Sequence, residues 1–193
     1  RTSTRPRLFT PGPVEIPARI LRAMSQVMPH HRTDAFRKVY QRVTEDLRWL
    51  HQTQGEVLMR AASGTGAMEA TVVNLMEPGK KALCLVGGKF GERWANLCKA
   101  YAIPYETIEV PWGHAIPVAE VEKKLDADAG ISCVFGTQSE TSTATLHDAH
   151  AIAKAIRARG RRFVIDAITG LGVHPLPQDD WGIDVVVTGS QKG

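Results

Sequence analysis

Ala82-Leu83-Cys84-Leu85-Val86-Gly87-Gly88-Lys89-Phe90-Gly91-Glu92-Arg93 runs from a short unbroken apolar stretch, through paired glycines, into a segment of mixed polarity. An apolar run of this length bounded by glycine reads as a buried strand, and residues 90–101 read as the helix that follows. The same alternation recurs along the chain. Strands are expected over residues 57–62, 82–86, 105–110, 132–135, 162–166 and 184–188, and helices near 66–76, 90–101, 118–126 and 148–159. Such alternation defines an α/β domain built on a mainly parallel sheet with helices on both faces. Upstream, Ile16, Ile20, Met24 and Val27 recur at helical spacing. A longer helix is expected after Thr33 and Asp34, with Phe36, Val39, Val43, Leu47 and Leu50 along one face. Residues 1–15, which include Thr10-Pro11-Gly12-Pro13, read as an irregular arm ahead of a domain spanning 16–193.

Composition sets the outer limits. The 193 residues are 43% hydrophobic and 23% charged, enough to bury one good core. No stretch approaches the ~20 apolar residues that span a bilayer, and the start lacks a secretory apolar region. The three cysteines, Cys84, Cys98 and Cys133, are widely spaced in apolar surroundings. They read as reduced core thiols of a cytoplasmic protein, not a disulfide framework. Net charge is a modest +4. The densest basic run, Arg157, Arg159, Arg161 and Arg162, lacks interleaved aromatics, so it reads as a solvated helix end and not a nucleic-acid surface. His147 and His150 flank a helix start, where a surface or supporting role outweighs metal binding. Trp49, Trp94, Trp112 and Trp181 are expected in the core or at an interface.

In parallel sheets ligands bind beyond the carboxyl ends of the strands, so those positions carry the functional reading. Ser63-Gly64-Thr65-Gly66 opens a helix, where free N–H groups make a phosphate or carboxylate site. Simple N-capping by Ser63 explains the same residues equally well. Glu69 replaces the third glycine of a dinucleotide fingerprint, and the next strand lacks the acidic residue that holds a ribose, so an isolated phosphate fits better. Phe90 is placed to lie over a flat cofactor, although such an aromatic is more often plain core. Gln138-Ser139-Glu140-Thr141-Ser142-Thr143-Ala144 offers hydroxyl donors, although by itself a polar turn is the better reading. Asp166 ends an apolar strand and needs a cationic partner that its neighbours do not supply. Lys192 follows Val185-Val186-Val187 and a small-residue turn, where desolvation favours the neutral amine that Schiff-base chemistry requires. Each signal is weak singly; together they are the parts of a pyridoxal-phosphate site.

These segments resemble, in order, the class V aminotransferases, nearest to the alanine–glyoxylate and serine–glyoxylate (serine–pyruvate) branch. The likeness covers roughly residues 8–193 and rests on Thr10-Pro11-Gly12-Pro13, Ser63-Gly64-Thr65-Gly66, Glu140-Thr141-Ser142-Thr143, Asp166-Ala167 and Gly189-Ser190-Gln191-Lys192. It implies part of a fold-type-I large domain that binds pyridoxal 5'-phosphate and forms homodimers. Lys192 would form the Schiff base and shuttle a proton, and Asp166 would pair with the ring nitrogen. Phe90 would stack on one ring face and Ile168 on the other. Ser63, Gly64, Thr65 and Gln191 would bind the phosphate, Thr141 would sit near the phenolic oxygen, and Gly12 near the substrate carboxylate.

The implied reaction moves an amino group between a small amino acid, alanine or serine, and a 2-oxo acid such as glyoxylate or pyruvate. Gln191 and Phe90 stand where cysteine desulfurases typically carry histidines, which favours amino transfer over sulfur transfer. A class V lyase or desulfurase, and a non-catalytic scaffold, are the alternatives. Ala144 stands where relatives commonly have glycine, which implies a slightly altered turn. Relatives continue beyond the lysine into a small C-terminal domain absent from these residues. Isolated residues 1–193 are therefore expected to leave apolar surface uncovered and to transaminate poorly.

Overall fold

The structure, a computed structural model, describes residues 8–192. Two helices, α1 (Ala18–Met24) and α2 (Asp34–His51), come first in the chain. There follow α3 (Gly64–Leu75), β1 (Lys81–Val86), α4 (Lys89–Ala100), β2 (Tyr105–Glu109), α5 (Val118–Ala127) and β3 (Ile131–Thr137). A small hairpin, β4 (Ser139–Glu140) with β5 (Thr145–Leu146), leads to α6 (Ala149–Arg157), β6 (Arg162–Asp166), α7 (Gln178–Trp181) and β7 (Val185–Val187). The main sheet has five strands in the order β2-β1-β3-β6-β7, every pair parallel.

Alternation along the strands divides the core in two. Leu83 and Leu85 of β1, Val134 of β3, and Phe163 and Ile165 of β6 pack against Val121 and Leu125 of α5 and Ile152 and Ile156 of α6. Their sequence neighbours Cys84, Cys133, Phe135 and Val164 face the other way, onto Met68 and Val72 of α3 and Trp94 and Cys98 of α4. A strand covered on both faces needs apolar residues at every position, which is why these strands read as continuous runs. Trp94 also donates its indole N–H to the Gly136 carbonyl at 3.0 Å. All three cysteines are buried and free.

Five of the six expected strands form within two residues of their expected bounds. The exception is 57–62, which is irregular and pairs with no strand among the described residues. Its apolar content is real, but a strand exists only against a partner, and Leu58 is 79% exposed. The apolar face expected on α2 is present but uncovered: Val39, Val43 and Leu50 remain exposed, as do Ile16, Ile20, Met24 and Val27 around α1. Trp94 is core, whereas Trp49 and Trp112 lie on the surface. The basic run is less solvated than expected. Arg159 forks onto Asp126 at 2.7 and 2.9 Å, and Arg162 pairs with Glu77. No helix among the described residues is long and apolar enough to cross a membrane.

Candidate active site

The site lies beyond the carboxyl ends of β6 and β7, where these face the start of α3 and the N-terminal arm. Lys192 is half-buried, and its ammonium donates to the Gly12 carbonyl at 3.4 Å. Gly12 has φ +149 and packs so tightly on Lys192 that a Cβ there would fall 2.0 Å from Lys192 Cδ. Gly12, expected near a substrate carboxylate, lies against the lysine stem. Gly64 is pressed in the same way on Ile168, whose Cδ1 would lie 2.3 Å from an added Cβ. Glycine at these two positions lets the arm and the first turn of α3 close onto residues 168 and 192.

Asp166 ends β6 with only 3% of its surface exposed. Its carboxylate accepts one hydrogen bond, from the Ile168 N–H at 2.9 Å. Burial pushes its pKa from 3.8 up to about 6, against the pull of that N–H and of the Arg93 and Lys192 charges. It forms no ion pair among the described residues, so a protonated ring nitrogen would supply a partner the fold leaves out.

At α3, Ser63 caps the helix by accepting from Gly66 N–H at 3.2 Å. The N–H groups of Gly64 and Thr65 have no hydrogen-bond partner among the described residues, so an anion would satisfy them. The capping and anion readings of this turn are thus compatible. Gln191 is exposed, and its backbone carbonyl accepts from Val14 N–H at 3.2 Å, which ties the arm to the lysine turn.

In the hydroxyl-rich segment the polar-turn reading accounts for most of the hydroxyls. Ser142 donates to Glu140 at 2.6 Å and accepts from Lys89 N–H at 3.0 Å. Thr143 donates to Thr145 at 2.9 Å. Thr141 is hydrogen-bonded to Thr169 at 3.1 Å, and Thr169 in turn bonds the Ser139 carbonyl at 3.2 Å. Most of these hydroxyls therefore hold the fold together. Ala144 sits at φ +54, the left-handed region that glycine occupies without a Cβ penalty. The turn thus takes a conformation suited to glycine, with alanine bearing its cost.

Two contributors escaped the sequence reading. Glu140, fully buried, accepts from the N–H groups of Phe90 (3.1 Å) and Gly91 (2.9 Å) at the start of α4. The N-cap of α4 is Gly88, which has no side chain to cap with, so the hairpin caps the helix from across the chain. Glycine is required there, since a Cβ at Gly88 would fall 2.6 Å from Glu140 Cγ. Arg93, one turn after Phe90, places its guanidinium 4.8 Å from the centre of that ring and donates to Thr65 Oγ at 2.9 Å. The i,i+3 spacing of Phe90 and Arg93 was the available signal for the latter; nothing local signalled the former. His147 is buried and accepts from Ile116 N–H at 3.2 Å, while His150 stacks on Trp181. No group of three or more metal-ligating side chains converges among the described residues.

A parallel α/β sheet that gathers a lysine, a buried aspartate and an open helix start at its carboxyl edge is the layout of a fold-type-I enzyme. Residues 8–193 match the family model described as aminotransferase class-V, and the chain belongs to that family. It is 41% identical over 189 residues to the "Soluble hydrogenase, small subunit" of Synechococcus sp. (strain PCC 6716), covering 96% of this chain and 49% of that protein. It is 33% identical to the L-aspartate–glyoxylate aminotransferase of Paracoccus denitrificans (strain Pd 1222), covering 100% of this chain and 50% of that protein. The crystal structure of alanine–glyoxylate aminotransferase from Nostoc sp. superposes with a TM-score of 0.91 at 30% identity, over 100% of this chain and 52% of that one. The chain spans about half the length of the curated relatives it matches.

Proposed function

We propose that the protein is a pyridoxal-phosphate-dependent aminotransferase that moves an amino group between a small amino acid, alanine or serine, and a 2-oxo acid such as glyoxylate or pyruvate. The convergence of Lys192, Asp166 and the unpartnered N–H groups of Gly64 and Thr65 carries this reading. Glyoxylate is shared by the names of two relatives whose amino donors differ, which favours it as acceptor.

The bound cofactor supplies an electron sink for the bond broken at the substrate's α-carbon. Lys192 would hold the cofactor through Nζ, and the same amine is the group that would move a proton at the substrate's α-carbon. Asp166 would keep the ring nitrogen protonated. Phe90 and Ile168 would bracket the ring; Ser63, Gly64, Thr65 and Gln191 would hold the phosphate. Thr141 would lie toward the phenolic oxygen, and Gly12 toward the substrate carboxylate. In this reading residues 1–15 are an arm, 16–193 belong to the large domain, and the enzyme is a cytoplasmic homodimer.

Purified protein mixed with pyridoxal phosphate should develop a visible absorbance band that Lys192→Ala abolishes. It should then consume glyoxylate with alanine or serine as donor. A protein that stays colourless with the cofactor, or a coloured one that transfers no amino group to any 2-oxo acid, overturns the proposal.

A further inference from the structure

Arg93 is the one cation hydrogen-bonded into the anion cradle among the described residues, and the roles proposed above give it nothing to do. Its Nη1 donates to Thr65 Oγ at 2.9 Å, while the guanidinium lies 4.8 Å from the Phe90 ring centre. A guanidinium has donors only, so Thr65 must be the acceptor in this bond. The hydroxyl proton of Thr65 then has to point elsewhere, and no acceptor for it occurs among the described residues. Thr65 is thereby committed as a donor to whatever binds at the start of α3. The same guanidinium brings a positive charge beside the helix end, where an anion is already favoured. It also braces Phe90 through a cation–π contact.

We propose that Arg93 is a positioning residue for phosphate: it fixes Thr65 as a hydrogen-bond donor to the phosphate monoester of the cofactor and supplies the charge that holds that group ionised. This rests on the pyridoxal-phosphate reading above. It assigns the phosphate cradle a charged member drawn from the helix that carries the stacking ring. Ring and phosphate are thus positioned by one side chain.

Pyridoxal, which lacks the phosphate, separates this role from a structural one. Dissociation constants of pyridoxal phosphate and of pyridoxal are measured by absorbance titration for the wild type, Arg93→Met, Arg93→Lys and Thr65→Val, and for the Arg93→Met/Thr65→Val pair. Arg93→Met is expected to weaken pyridoxal phosphate by about 30-fold, the scale of a lost charge-assisted hydrogen bond, and pyridoxal by less than about threefold. Arg93→Lys keeps the charge but loses the planar fork, and should show the same selectivity at about fivefold. In the Thr65→Val background Arg93→Met should cost several-fold less than in the wild type, because part of its effect passes through the hydroxyl. Equal weakening of both ligands by the Met and Lys variants, or no weakening by either, overturns the role of Arg93. So does full additivity with Thr65→Val. A wild type that binds neither ligand overturns the functional reading with it, which keeps the two failures distinguishable.

Discussion

The stem of Lys192 lies directly on Gly12: an added Cβ would sit 2.0 Å from Lys192 Cδ and 2.7 Å from Cε, and 2.9 Å from the Gln191 carbonyl oxygen. Gly12 also carries φ +149, which an L side chain rarely adopts. Gly12→Ala must therefore move either the arm or the lysine. A displacement of about 1 Å at the reacting amine costs on the order of 10²-fold in rate. We expect Gly12→Ala to lose about that much in kcat and to take up pyridoxal phosphate more slowly by absorbance. Wild-type kcat in this variant would show that the arm yields freely and that the contact is incidental.

Glu140 ties the hairpin of β4 and β5 to the start of α4. Glu140→Ala leaves the buried N–H of Gly91 and the half-buried N–H of Phe90 without an acceptor, and frees Ser142 from its place. The cost is expected at about 3 kcal/mol of unfolding free energy, read from urea or thermal denaturation. Glu140→Gln keeps an acceptor oxygen and should lose no more than about half as much. Equal losses in the two variants would mean that the charge at the helix end, not the hydrogen bonds, is what α4 needs.

Strand-to-helix transitions were legible because their chemistry is local. Ala82–Val86, the glycines after it and the helix beyond all announce themselves within one window, and so do Asp166 and Lys192 at strand ends. Residues 57–62 failed because pairing is not local: the run has strand composition, but no strand among the described residues offers it an edge. Glu140 failed for the same reason in reverse. Its partners lie 49 and 50 positions away, and in sequence it is one polar residue in a polar turn. For Ser142 and Thr143 the sequence left a ligand donor and a polar turn both open, since a hydroxyl engaged by its own hairpin looks the same in sequence as a free one.

Ala144 bears a conformational cost that glycine would not. At φ +54 its Cβ crowds the following carbonyl, worth ~1–2 kcal/mol, of which the greater freedom of unfolded glycine returns part. Ala144→Gly is therefore expected to raise stability by about 0.5–1 kcal/mol, visible as a small upward shift in Tm. A lower Tm would indicate that the methyl group makes a packing contribution larger than its strain.

Asp166 sets function against stability in a way that pH exposes. Burial holds its pKa at about 6 in the folded protein, against 3.8 ordinarily. Well below pH 3.8 both folded and unfolded chains carry the proton, and the site costs nothing. As pH rises toward 6 the unfolded chain ionises first, so stability falls; above 6 the loss is complete, on the order of 3 kcal/mol. Asparagine has no proton to lose. Cofactor-free Asp166→Asn should therefore approach the wild type near pH 3 and exceed it by about that amount at pH 8. Comparing the two proteins at each pH removes the opposing effect of His51 and His147, whose burial lowers their pKa values in both. With pyridoxal phosphate bound the order should invert, because only the carboxylate can hold a proton on the ring nitrogen and recover the cost of its own burial. A cofactor-free wild type as stable as Asp166→Asn at pH 8 would mean that Arg93 and Lys192 already neutralise the carboxylate, leaving no deficit for the cofactor to fill.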